Sequence, residues 1–331
     1  MSKVGIIANP AAGKDIRRLV AYASMTGNRE KIDLVRRIIQ GISSTAVDEI
    51  VLTPDYSGIC MQALSGLSEE VVSRCLTLSE MAVTGTQDDS TRAMSIMAEK
   101  DVGCVVTIGG DGTSRAVAKG NRQVPVVAIS TGTNNVFPVM VEATVAGIAA
   151  GLVARRIVEE DEVVHSQKRI IISDKGDERD MALIDAAVLD QVFVGARAVW
   201  SLSEVKELIC TRAQADTIGL SSIGGSICTI TANDDYGLYL KLGEGKIKVK
   251  AAVLPGLVQE VGISEYRRIR IGEKIPVSVK PCLLALDGER ELKVRAQDEF
   301  TMRIERDGPR IVDISKAVHK AVEKGFFVRT E

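Results

Sequence analysis

The sequence predicts an α/β protein with a doubly wound parallel-sheet first half and a β-rich second half. Two observations support that expectation. Short apolar runs alternate with helical stripes through the first half, which implies a parallel sheet with helices on both faces. After about residue 165 the pattern becomes a series of strand-like runs separated by turn residues. A chain of 331 residues exceeds the usual size of one domain. The change of pattern divides it into units 1–158 and 159–307.

Residues 4–8 are an apolar run closed by Asn9-Pro10, a strand followed by a turn. Helices are expected over 15–23 and 29–39; in the second, Ile32, Val35, Ile38 and Ile39 share one face. Residues 49–52 read as a strand stopped by Thr53-Pro54-Asp55, 57–67 as a helix and 75–78 as a strand. Asp88-Asp89-Ser90 opens the next helix with groups suited to its free N–H donors. Residues 102–108 are the clearest buried strand, and Gly109-Gly110-Asp111-Gly112-Thr113 turns it into a helix. Another strand is expected at 124–129. The apolar run 143–154 is too short for a membrane span and reads as a buried helix. In the second half strands are expected at 169–173, 181–189, 226–231, 238–242, 246–254, 275–279, 283–286 and 299–304. A helix at 314–323 closes the chain.

Composition excludes several functions. Aromatics at 3% leave few stacking platforms for single-stranded nucleic acid, and a net charge of −2 argues against a general polyanion binder. No nucleic-acid partner and no membrane attachment are therefore expected. Six cysteines lack metal or redox spacing and sit mostly in apolar stretches, which fits a reducing compartment. With no signal-peptide architecture at the start, the expected location is the cytoplasm. His165 and His319 have no nucleophile or acid nearby in sequence. Trp200 reads as core, and Arg267-Arg268-Ile269-Arg270 as a solvated strand face.

Gly109 to Thr113 occupies the place where open parallel sheets bind ligands, beyond the carboxyl end of a strand. Glycines let the backbone approach a phosphate, and the following helix directs N–H groups towards an anion. Asp111 would repel a bare phosphate, so Mg²⁺ bridging or proton abstraction from an attacking hydroxyl would explain an acid there. The competing explanation is a tight turn with Asp111 as a cap. Two further turns on the same edge, Asn9-Pro10-Ala11-Ala12-Gly13 and Ser130-Thr131-Gly132-Thr133-Asn134-Asn135, favour a nucleotide cradle. Thr84 to Thr91 lies on the ligand edge, where Thr86 and Asp89 could hold substrate hydroxyls or simply cap the helix.

At Asn9-Pro10, Gly109 to Thr113 and Gly132 to Asn135 the chain resembles the superfamily joining NAD kinases with diacylglycerol and sphingosine kinases. Asp287-Gly288-Glu289 resembles the Asp-Gly-Glu turn of the lipid-kinase branch. The passages Ile7 to Arg18 and Phe193 to Trp200 are similar to the ATP-NAD kinase-like family of the acetoin-catabolism X type. The resemblance implies a sandwich-like second domain, a nucleotide in the cleft between domains, and residues 308–331 returning to the first. It implies ATP and Mg²⁺, the metal held mainly by the phosphates and by Asp111. Asp111 is the expected catalytic residue. Asn9, Pro10, Gly109, Gly110, Gly112, Thr113, Thr131, Gly132, Thr133 and Asn134 are expected at the nucleotide, and Thr86, Asp89, Asn135, Asp287 and Glu289 at the acceptor. A homo-oligomer is implied by analogy. NAD is the leading acceptor, although the Leu-Gly-Phe continuation of NAD kinases is replaced by Asn134-Asn135-Val136-Phe137-Pro138 and their Asn-Glu pair has no located counterpart.

Overall fold

A computed structural model describes residues 1–13, 22, 26–133, 135–191, 193 and 202–328. Apart from Tyr22, the helix expected over 15–23 lies outside the described residues, as do the passages 14–18 and 194–200 and Asn134. Five of the apolar runs are parallel strands: β1 (Lys3–Ala8), β2 (Glu49–Leu52), β3 (Cys75–Thr77), β4 (Cys104–Gly109) and β5 (Val126–Ser130). β4 and β5 are buried along their whole length, which is why their sequences are continuously apolar rather than alternating. The sheet order is β3-β2-β1-β4-β5, extended by β17 (Arg310–Val312) and β6 (Val164–Ser166). β17 runs parallel to β5 and antiparallel to β6.

Alternate residues of the central strands face opposite layers of helices. Val4, Ile6 and Val106 share a core with Ile38 and Ile39 of the helix Asn28–Ser44, Ala146 and Ala149 of Ala143–Ala154, and Ala317 of Ile314–Glu323. Ile7, Val105 and Ala128 pack instead on Met94 and Met97 of Asp88–Glu99 and Val117 of Asp111–Gly120. The chain runs outward from β1 to β3 and then returns to β4 on the other side of β1. In such sheets the crevice at that reversal is where ligands bind. Among the described residues no helix is long and apolar enough to cross a membrane.

The second half forms two antiparallel sheets. β7 (Arg169–Asp174), β8 (Asp177–Ala182), β13 (Ile275–Pro276) and β16 (Phe300–Glu305) make the smaller. β9 (Asp185–Leu189), β10 (Val205–Cys210), β11 (Tyr236–Leu254), β12 (Leu257–Arg270), β14 (Cys282–Leu286) and β15 (Glu289–Val294) make the larger. Ile170, Ile172, Met302 and Ile304 of one sheet meet Val188, Ile209, Tyr239 and Leu284 of the other, the packing of a β-sandwich.

Several expected elements are corrected. Residues 226–231 are not a strand: the short helix Ser221–Gly225 inserts Ile223 into the core, and only an isolated bridge joins Ala213 to Ile230. The run 181–189 breaks between β8 and β9, where the amides of Leu183 and Ile184 serve Asp287. Residues 238–242 and 246–254 are one strand, because Gly243-Glu244-Gly245 is absorbed as a register shift in β11 rather than forming a turn. Residues 275–279 shrink to Ile275–Pro276, a proline lacking the N–H a longer ladder would need. The helix expected over 57–67 is only Ile59–Ala63.

Candidate functional site

β1, β4 and β5 end at the same edge of the sheet, and the turns after them converge on one cleft of about 520 Å³. Asn9, Pro10, Gly110, Asp111, Gly112, Thr113, Gly132, Thr133 and Asn135 line its floor. Thr86, Gln87 and Asp89 form one side, and Asp185, Leu220, Val253, Leu254, Asp287 and Glu289 close it from the β-rich half.

The first turn is pinned from three directions. Asn9 donates its amide to the Ile108 carbonyl at 3.1 Å and its Nδ2 to Thr113 Oγ1 at 2.9 Å. Its Oδ1 accepts from the Ala11 amide at 2.9 Å. Beneath the turn, the fully buried Lys31 donates Nζ to the carbonyls of Asn9, Pro10 and Ala12 at 3.1, 2.9 and 2.6 Å.

In the second turn the glycines are required by close approach. A Cβ on Gly109 would lie 2.4 Å from Thr113 Oγ1, and one on Gly110 would lie 2.6 Å from Asn135 Oδ1. The helix Asp111–Gly120 begins at Gly110, which has no side chain of its own to cap it, and its first residues line the cleft. The Asp111 carboxylate does not cap its own helix. It accepts from the amides of Val136, at 3.1 Å to each oxygen, and Phe137, at 2.7 Å to Oδ1. That grip fixes a partly buried carboxylate that lines the cleft.

The third turn is held internally. Ser130 Oγ donates to the Gly132 carbonyl at 2.7 Å, and Asn135 Nδ2 donates to Ser130 Oγ at 2.8 Å. Thr131 donates its amide to Gly109 at 3.1 Å and joins the ends of β4 and β5 from below the cleft. Gly109 and Thr131 are thus supports beneath the lining, while Thr133 stands exposed at the rim.

The expected acceptor residues divide in two. Asp89 accepts from the amides of Thr84, at 2.9 and 3.1 Å, and Gly85, at 2.7 Å, and pairs with Arg92 at 2.6 Å. It therefore shapes the loop before its helix instead of capping the helix itself. Thr86 is exposed and shares a 2.9 Å hydrogen bond with Thr84. Glu289 accepts from Gln87 Nε2 at 3.1 Å, directly above Gly112, where an added Cβ would stand 3.4 Å from its Oε1. Asn135 Oδ1 accepts from the Asp111 amide at 3.3 Å. Asp287 is buried and accepts from the amides of Leu183, at 3.0 and 3.1 Å, and Ile184, at 2.7 Å. Burial pushes its carboxyl up to about 6, against the opposing pull of Arg115.

Three cations that organise the site were not singled out in the sequence. Arg115, on the same helix as Asp111, is buried among Glu291 at 2.6 Å, Asp180 at 3.7 Å and Asp287 at 3.7 Å. Its spacing four residues after Asp111 places it on that residue's helix face, a signal available in advance. Arg212 stacks over the Phe137 ring at 5.2 Å and donates to Gln167 at 2.8 Å, bracing the segment that grips Asp111. Burial lowers the Arg212 pKa, opposed by the charges of Asp111 and Asp287. Lys31 is the third.

The residues fit a magnesium nucleotide in a limited way. The first turn of the helix Asp111–Gly120, with no side chain at Gly112, brings backbone amides to the cleft. Among the described residues no three His, Cys, Asp or Glu side chains cluster to hold a metal, so Mg²⁺ would be held chiefly by phosphates with Asp111.

An open α/β sheet whose switch-point turns frame a carboxylate defines a ligand-binding α/β fold, and the comparisons supply its family. The ATP-NAD kinase N-terminal domain matches residues 4–157, and the acetoin catabolism protein X C-terminal domain matches residues 168–307. Acetoin catabolism protein X of Cupriavidus necator is 34% identical over 329 residues, covering 96% of this chain and 92% of that protein. The chain belongs to the acetoin catabolism protein X family. Two structures of a putative diacylglycerol kinase from Bacillus anthracis str. Sterne are also similar. One has 12% identity and a TM-score of 0.45 over 94% of this chain and 98% of its own. The other has 13% and 0.46 over 94% and 97%.

Proposed function

We propose that the chain is an ATP-dependent kinase that phosphorylates a hydroxyl of a small soluble acceptor, with NAD the leading candidate. The observation that carries this reading is the Asp111 carboxylate, held by the Val136 and Phe137 amides at the start of its helix. The acceptor oxygen bonds to the terminal phosphorus, the bridging P–O bond breaks, ADP leaves with the electron pair, and the hydroxyl proton passes to Asp111. The turns hold the phosphates in line, and positioning supplies most of the rate. Mg²⁺, when bound, neutralises charge on the phosphates. The match of residues 4–157 to an ATP-NAD kinase domain supports NAD.

A small polyol or other hydroxylated metabolite is the second reading. Asp55, Asp89, Asp111, Asp185, Asp287 and Glu289 line the cleft, and among its described lining residues there is no lysine or arginine. Such walls suit a hydroxyl donor better than an acceptor carrying its own phosphates.

The test is incubation with Mg²⁺-ATP and a panel of NAD, polyols and hydroxyacids, read by mass spectrometry. A phosphorylated member is expected. ATP binding without transfer to any member assigns a nucleotide sensor instead.

A further inference from the structure

We propose that Lys31 is a positioning residue for a polyphosphate, acting through the first turn; this rests on the kinase reading. Lys31 lies on the opening turn of the helix Asn28–Ser44 and is completely buried. Both circumstances oppose a cation: the helix start carries partial positive charge, and burial strips the ammonium of water. A lysine kept there against those costs needs a compensating arrangement, and three carbonyls of one turn are part of it.

Those carbonyls belong to Asn9, Pro10 and Ala12, all of which line the cleft. Their oxygens are the groups that would repel a phosphate, and Lys31 turns all three inward. The same ammonium places a positive charge one layer below a cleft whose charged lining residues, among those described, are all acidic. Being buried, that charge is screened less by salt than a surface lysine would be. The turn is also tied to the phosphate turn through Asn9 Nδ2 and Thr113 Oγ1, so its shape reaches the start of the helix Asp111–Gly120. Lys31 touches the turn and not the ligand, and its effect should grow with the number of phosphates.

The experiment is calorimetry of ATP, ADP, AMP and adenosine, each with Mg²⁺, against wild type, Lys31→Met, Lys31→Gln and Lys31→Arg. Lys31→Met should weaken ATP by on the order of ten-fold, ADP by less and AMP least, leaving adenosine unchanged. Lys31→Arg keeps the charge and should keep the wild-type ladder. Lys31→Gln keeps an amide donor for the carbonyls without the charge, so it carries the same test if the methionine variant does not fold. Equal losses for all four ligands, or none, overturn the inference while the kinase reading stands. Failure of the wild type to bind ATP overturns the kinase reading and this inference with it.

Discussion

Asp111 and Asp287 line the same cleft, and each is gripped in the same way. Each precedes a glycine, and each carboxylate accepts consecutive backbone amides from a distant segment: Val136 and Phe137 for one, Leu183 and Ile184 for the other. The difference is access. Asp111 is partly buried at the start of a helix, whereas the Asp287 side chain is 1% exposed and faces Arg115. An amide clamp therefore orients a carboxylate in both places, but Asp111 is the more accessible of the two. In the proposed reading Asp287 is a strut for the turn that carries Glu289, and Asp111 takes the chemistry.

The largest effect that would break this contrast is on turnover. Asp111→Asn should lower the rate of phosphoryl transfer by about 100-fold or more while ATP affinity changes only a few-fold, measured by steady-state kinetics and calorimetry. Comparable loss from Asp287→Asn at full occupancy and unchanged stability would reverse the assignment.

On the structural side, Arg115→Met removes the cation shared by Asp180, Asp287 and Glu291. Leaving buried carboxylates uncompensated should cost about 3–5 kcal/mol, read by chemical denaturation. A loss below about 1 kcal/mol would show that the hub is not what joins the two halves.

A pH series sharpens the role of Asp287. A carboxyl whose folded pKa lies above its unfolded value stabilises fully below about pH 4, and that contribution is lost as the pH rises through about 6. The stability penalty of Asp287→Asn should therefore shrink by up to about 3 kcal/mol between pH 4 and pH 7. A penalty growing over that window would contradict a buried carboxyl. The smallest effect belongs to Glu289→Gln, which retains an acceptor for Gln87 and should change stability by under about 1 kcal/mol.

The N-terminal sheet was legible because buried parallel strands are written as continuous apolar runs, as in Cys104–Gly109 and Val126–Ser130. The three turns were legible because glycine and Asn-Pro mark where strands end. Of the edge strand Leu257–Arg270 only the end, Arg267-Arg268-Ile269-Arg270, was legible as a solvated strand face, because the outward residues are charged and the pattern before them does not alternate cleanly. Residues 226–231 misled because Ile227, Cys228 and Ile230 look strand-like, although a short helix had already supplied that part of the core. The depth of Lys31 and Arg115 was not legible, since sequence does not display burial, although Arg115's spacing from Asp111 was. For Lys31 the available signal was a cation at the unfavourable end of its helix, next to Ile32 on the buried face.

The most direct measurement is a crystal structure of the protein with Mg²⁺ and a non-hydrolysable ATP analogue. The account predicts the phosphates lodged between the turns at Asn9, Gly112 and Gly132, with the terminal phosphorus beside Asp111. A nucleotide seated elsewhere, or phosphates turned away from the start of that helix, would contradict it.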